Sequence, residues 1–167
     1  MKLAHIFIVN FPLFAAAVLL AGCGFQLRGE MDLPESIRTV QVMAPLALRN
    51  DILALLESGN VDASTSSADA DVNITVTSEN FTRRVLSVDA TTGKEREFQL
   101  AYSVAFGVTQ RDGTHLIEND TVSLLRNYDF DTQAVIGTSR EEDLLRDEMR
   151  RDAAQQLMRR VEAALKP

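Results

Sequence analysis

Three observations predict an α+β fold, in which a mostly antiparallel small β-sheet carries two α-helices packed on one face. From Phe98 to Val108 the even positions (Phe98, Leu100, Tyr102, Val104, Phe106, Val108) are large and apolar, while Gln99, Ala101, Ser103, Ala105 and Gly107 are small or polar. That is the pattern of a strand with one buried face. Turn-forming stretches at Asp89–Glu95 and Arg111–Gly113 flank it, so its neighbours in sequence pair with it antiparallel. In the last quarter the period changes. Leu145, Met149, Ala153, Leu157, Val161 and Leu165 recur at four-residue steps, giving a helix with one apolar face to lay on that sheet.

Taken in order, residues 1–22 read as a cleaved signal peptide. They hold Lys2, an apolar run from Ile6 to Leu20 interrupted by Asn10 and Pro12, and no acid. The run is too short and broken for a membrane span, which needs about 20 apolar residues. Leu20-Ala21-Gly22-Cys23 resembles a bacterial lipobox, and Cys23 is the chain's single cysteine. The motif implies cleavage after Gly22 and acylation of the thiol, a nucleophile that no other residue supplies. Lipid attachment at Cys23 then makes a durable anchor, since each buried methylene contributes about 0.8 kcal/mol. Gly24, where an aspartate would favour the inner membrane, points to the outer membrane.

Removing 22 of the 167 residues leaves 145, enough for one domain, and takes away Lys2 but no acid, so the charge moves from −7 to −8. An acidic total argues against a nucleic-acid partner, which requires a basic face. With Cys23 lipidated no thiol remains, which excludes a disulfide and cysteine-type metal sites. We divide the chain into the signal peptide (1–22), a lipidated tether (23–37) and a single α+β domain (38–167).

Within the domain, Val40 and Val42 alternate with Thr39 and Gln41, predicting a strand over Arg38–Ala44 that Pro45 ends. Leu48, Ile52, Leu55 and Leu56 predict a helix of about three turns stopped by Gly59. Asp62–Asp71 reads as an exposed loop or weak edge. Val72–Val88 reads as one long bent strand or two short ones, with an irregularity near Thr82–Arg84. Leu116, Ile117, Val122, Leu124 and Tyr128 supply the third strand of a meander. Ser139, three residues before Glu142, has capping-box spacing and predicts the start of a helix of about six turns. Glu141, Glu142 and Asp143 would lie near its positive end and Arg159, Arg160 and Lys166 near its negative end.

No constellation supports an enzyme. His115, the one histidine left after cleavage, has no serine or cysteine pattern beside it; Asp129 and Asp131 lack the further ligands of a calcium loop; Asp89, Glu95 and Glu97 surround a turn. The pairs Arg83-Arg84, Arg150-Arg151 and Arg159-Arg160 read as long side chains covering the edge of the core. Lys94 and Arg96 in the first hairpin, and Arg140 just before the last helix, are better placed to meet an anionic ligand.

Taken together, Leu20-Ala21-Gly22-Cys23-Gly24-Phe25-Gln26-Leu27-Arg28-Gly29, Arg84-Val85-Leu86-Ser87-Val88-Asp89, Glu95-Arg96-Glu97-Phe98-Gln99-Leu100 with Tyr102, Arg126-Asn127-Tyr128-Asp129-Phe130-Asp131, Glu141-Glu142 and Glu148–Leu157 resemble the LPS-assembly lipoprotein LptE family. The resemblance spans the mature chain in order. It implies a non-enzymatic outer-membrane lipoprotein without cofactor, lipid-anchored on the periplasmic side of a Gram-negative cell. Such proteins plug the LptD β-barrel, help it assemble and bind lipopolysaccharide during its export. Family members are implicated in lipopolysaccharide contact through basic residues at the hairpin turn and before the long helix. Here Asp89-Ala90-Thr91-Thr92 and Gly137-Thr138 fill much of those stretches, and Lys94, Arg96 and Arg140 stand beside them as candidates. The alternative is a free-standing outer-membrane lipoprotein binding a small apolar or lipid ligand in a pocket.

Overall fold

A computed structural model describes residues 33–129 and 135–166, with the side chains of 135–139 left aside. The signal peptide, Cys23 and most of the tether lie outside the described residues, as does Asp131. Seven elements follow in order: β1 (Thr39–Met43), α1 (Leu46–Ser58), β2 (Asp62–Ser64), β3 (Val72–Val88), β4 (Glu95–Gln110), β5 (His115–Asp129) and α2 (Val135–Leu165). The strands form one sheet in the order β2-β1-β3-β4-β5. The long β3–β4 and β4–β5 pairings are antiparallel, as predicted, whereas β1 runs parallel to both β2 and β3. Both helices lie on one face. Leu48, Ile52 and Leu56 of α1 and Met149, Ala153, Leu157 and Val161 of α2 join the even-numbered residues of β4 from Phe98 to Val108 in a single core.

β1 ends two residues before Pro45, whose carbonyl accepts the Arg49 N–H at 2.8 Å as α1 begins. Gly59 follows the last residue of α1 but has φ −89°; Asn60, with φ 55°, is the left-handed residue. Asn60 N–H donates to the Glu57 carbonyl (3.1 Å) and Val61 N–H to the Leu56 carbonyl (3.0 Å), a Schellman closure whose accompanying apolar pair, Leu56 and Val61, is buried. The Asp62–Asp71 stretch contributes only the three-residue edge strand β2. It is nonetheless anchored. Asp71 accepts the backbone N–H groups of Arg38 (2.9 Å) and Thr39 (3.0 Å) and pairs with Arg111 at 2.9 Å, joining the starts of β1 and β3 to the β4–β5 turn. The two backbone donors are the largest influence holding its carboxyl below the usual range.

β3 is one strand, and its irregularities lie at Thr77 and Leu86 rather than at Thr82–Arg84. Val76 pairs with Phe106 and Ser78 with Ala105, so Thr77 is an extra residue whose hydroxyl bonds the Ala105 carbonyl at 3.2 Å. The extra residue switches parity. Ile74 and Val76 face the helices before it, and Glu79, Phe81, Arg83 and Val85, opposite Val104, Tyr102, Leu100 and Phe98, face them after it. A further bulge sits in β5, where Glu118 and Asn119 together oppose Gly107.

The long helix differs most from expectation. It starts at Val135, which places position 139 within the helix rather than at its start, and its 31 residues exceed the six turns expected. Glu142 lies beyond the first turn, and its carboxylate is engaged across the structure by Arg83 and Tyr128. The first turn holds no acid and the last no base, so Glu141, Glu142, Asp143, Arg159 and Arg160 stand away from the ends, whereas Lys166 directly follows the last helical residue and donates its N–H to the Glu162 carbonyl at 3.2 Å.

A Cβ added at Gly107 would lie 3.0 Å from the Glu118 carbonyl oxygen and 3.3 Å from that of Ile117, both backbone atoms that the bulge holds in place. Gly107→Ala is therefore expected to destabilise the fold by about 1–3 kcal/mol, read as a lower urea midpoint at unchanged slope. A midpoint equal to wild type would show that the bulge yields freely.

Candidate functional site

The β3–β4 hairpin runs beyond the sheet's buried centre. Val72 and Ile74 near its base are fully buried, but Val85, Leu86 and Val88 are exposed. Asp89 builds the tip, its carboxylate accepting the N–H groups of Thr91 (3.0 Å) and Thr92 (2.8 Å), while its own N–H donates to the Lys94 carbonyl at 2.7 Å. Gly93 takes φ 68°, open to glycine and strained for other residues. The tip thus satisfies its own backbone and presents its side chains outward.

Behind the tip, α2 crosses the hairpin through one carboxylate. Glu142 accepts from Arg83 Nη1 at 2.9 Å and from the Tyr128 hydroxyl at 2.7 Å, and Arg146 Nη2 lies 3.8 Å from its other oxygen. Phe98 and Tyr128 stack beneath at 5.6 Å between centroids. The Arg83 guanidinium sits 4.0 Å from the Phe98 ring centre and that of Arg146 4.0 Å from Phe81. Burial is the largest single influence on Glu142 and opposes its ionisation; the hydrogen bonds from Tyr128 and Arg83 and the two arginine charges outweigh it, holding the carboxyl below its usual range. The Tyr128 hydroxyl is pushed up to about 12, first by burial and then by its bond to Glu142.

The three basic residues singled out from sequence lie on two different elements, Lys94 and Arg96 on the first hairpin and Arg140 on α2. Lys94 lies in the hairpin turn and Arg96 one residue into β4, at an irregularity in its pairing with β3, where it approaches Asp89 at 3.9 Å. Arg140 is not in a loop before the last helix; it is exposed on α2 itself, because the helix begins five residues earlier. Of the arginine pairs, the core-covering reading fits Arg150, which bonds Asp51 at 2.7 Å and ties α2 to α1, and Arg160, which bonds Asp120 at 2.6 Å. Sequence reasoning passed over Arg146 and assigned Arg83 to the core edge. The signals were there: Arg146 follows Glu142 by one helical turn, and the parity change before Phe81 puts Arg83 on the helix-facing side.

An open cleft of about 590 Å³ lies between the end of α1 and β2, lined by Leu53, Glu57, Asn60, Val61, Asp62 and Ala63. Among the described residues no cluster of His, Cys, Asp and Glu is arranged to hold a metal, and no helix is long and apolar enough to cross a membrane.

The sequence profile of the LptE family, described as lipopolysaccharide-assembly, matches residues 37–161. Among curated proteins, the LPS-assembly lipoprotein LptE of Pectobacterium atrosepticum is 30% identical over 153 residues, covering 87% of this chain and 80% of its own. Its counterpart in Photorhabdus laumondii subsp. laumondii is 28% identical over 165 residues, covering 92% and 85%. Among solved structures, the uncharacterized lipoprotein B from Nitrosomonas europaea superposes with a TM-score of 0.70 at 27% identity, over 84% of this chain and 91% of that one. The rare lipoprotein B from Shewanella oneidensis shares the fold, with a TM-score of 0.66 at 23% identity over 75% and 95%.

Because the Glu142 carboxyl titrates below its unfolded value, the stability it contributes is present above the unfolded value near 4.5 and is lost as pH falls through the folded one. Glu142→Gln should cost about 1–2 kcal/mol at pH 7. It should also weaken the dependence of the urea midpoint on pH below that value. An acid limb as steep as that of wild type would mean that other carboxylates carry it.

Proposed function

The chain belongs to the LptE lipopolysaccharide-assembly family, and from that membership we propose that it occupies the lumen of the LptD β-barrel as plug and assembly factor and binds lipopolysaccharide on its way to the outer leaflet. At the coarser level it is a non-enzymatic lipopolysaccharide-assembly lipoprotein of the outer membrane. The observation that carries the reading is the span of the family match: residues 37–161 run from before β1 through nearly all of α2, so the likeness covers the framework rather than one motif. In this reading Cys23 carries the lipid that holds the domain on the periplasmic side, after removal of residues 1–22.

An anionic glycolipid gives a purpose to cations that an acidic chain would otherwise present without a partner. Lys94, Arg96 and Arg140 are the candidates for its contact, with Val85, Leu86 and Val88 supplying apolar surface on the same hairpin. The alternative, a free-standing carrier of a small apolar ligand, calls for an apolar cavity. The cleft beside α1 suits it poorly, because Glu57 and Asp62 rim it.

Isolation of the lipidated protein from detergent-solubilised outer membrane should recover LptD in one-to-one ratio, and depletion should leave that barrel misassembled. Recovery of the lipoprotein alone, with normal barrel assembly in its absence, would overturn the proposal. Charge reversal at Lys94, Arg96 and Arg140 should weaken lipopolysaccharide binding in low salt by about threefold each, with the effect shrinking as salt rises. Unchanged binding would move the ligand elsewhere.

A further inference from the structure

The crossing of α2 over the hairpin holds two arginines that the plug reading leaves unused. Arg83 and Arg146 converge on the two oxygens of Glu142, at 2.9 and 3.8 Å. The side chain of Glu142 is 18% exposed, against 42% and 49% for the arginines, so the anion forms the floor and the cations the rim. Each guanidinium has five N–H donors. Among the described residues Arg83 directs one donor to Glu142 at 2.9 Å and also faces the Tyr128 hydroxyl, and Arg146 makes the 3.8 Å ion pair without a hydrogen bond. The rings of Phe98 and Phe81 seat the two groups, so little side-chain freedom is left to lose when a ligand arrives. The three groups together carry one net positive charge, on two side chains that are nearly half exposed.

Guanidinium forks recognise the oxygens of phosphate as they do those of carboxylate, and two of them seated side by side can share a tetrahedral phosphate. Val85, two residues along from Arg83 on the same side of β3, is 42% exposed and offers apolar surface at the rim. We propose that Arg83 and Arg146 form a phosphate-binding site for a phosphorylated, acylated glycolipid, with Glu142 as a built-in competitor that keeps the ligand releasable. The proposal rests on the lipopolysaccharide-binding reading above and assigns the phosphate to residues other than Lys94, Arg96 and Arg140. A carboxylate already holding both cations lowers affinity for an incoming anion, which suits a ligand in transit.

The test uses the full mature chain in detergent with three probes: bisphosphorylated lipid A, the same lipid with its phosphates removed, and inorganic phosphate as competitor. Wild type should prefer the phosphorylated lipid. Arg83→Gln with Arg146→Gln should weaken its binding roughly tenfold or more and abolish the preference. Glu142→Gln should strengthen it several-fold, a gain that loss of fold cannot produce. Displacement of the lipid by inorganic phosphate from wild type, and not from the double variant, would identify phosphate alone as sufficient. Displacement only by phosphorylated lipid would identify lipid-borne phosphate. Either result supports the site. Binding by the double variant equal to wild type, no gain from Glu142→Gln, or equal wild-type affinity for both lipids would overturn the site while leaving lipopolysaccharide binding standing. No wild-type binding to either lipid would overturn both.

Discussion

The structure depends on keeping one side of β4 apolar and facing the helices without interruption from Phe98 to Val108. Both helices rest on that side, and the six even-numbered residues from Phe98 to Val108 are all buried. At about 25 cal/mol per Å² of apolar surface buried, no polar contact in the molecule competes with this core. The neighbouring strands must deliver their own apolar residues to the same side. Over strands of 15 to 17 residues the twist of the sheet works against that. Bulges at Thr77, Leu86 and Glu118–Asn119 reconcile the two demands, and Gly107 gives the last of these the room it needs.

Polar groups then stitch the edges of that core. Tyr102, buried on β4, donates to Glu79 of β3, and burial is the largest influence pushing its hydroxyl upward. Arg150 joins the helices, Arg126 and Arg160 tie α2 to β5 through Asp152 (2.9 Å) and Asp120 (2.6 Å), and Arg111 closes the β4–β5 turn onto Asp71 (2.9 Å). Most of these pairs are half exposed, where a single ion pair contributes little, so their value lies in orientation more than in energy. They also sort the arginines of an acidic chain into those committed to carboxylates across the fold and those left facing outward.

Much of the fold was legible in the residues. The alternation in β4, the turns at Asp89–Glu95 and Arg111–Gly113 and the four-residue stripe of α2 are local patterns, and each maps onto an element. What could not be read was set by distant partners. The β3 irregularity shows in sequence as a parity change between Val76 and Phe81, but its position is fixed by pairing with Phe106 and Ala105. Ser139 and Glu142 have capping-box spacing, yet the helix starts at Val135 and carries Arg140 within it, while Glu142 answers to Arg83, 59 positions away in sequence. Family resemblance was legible from ordered short blocks. For Arg83 and Arg146 the sequence shows only on which side of strand and helix each lies; their convergence depends on the crossing of hairpin and helix, which no local pattern specifies.

The bulge at Thr77 also bears on how the length of this chain can vary among relatives. Loss of one residue directly after Thr77 would turn Glu79, Phe81, Arg83 and Val85 to the opposite side, unless Thr77 moved into the regular ladder and absorbed the deletion. The bulge is therefore a reserve of one residue, and insertions or deletions in β3 should appear beside it or in compensating pairs, while the tip, which carries no such parity, is free to lengthen.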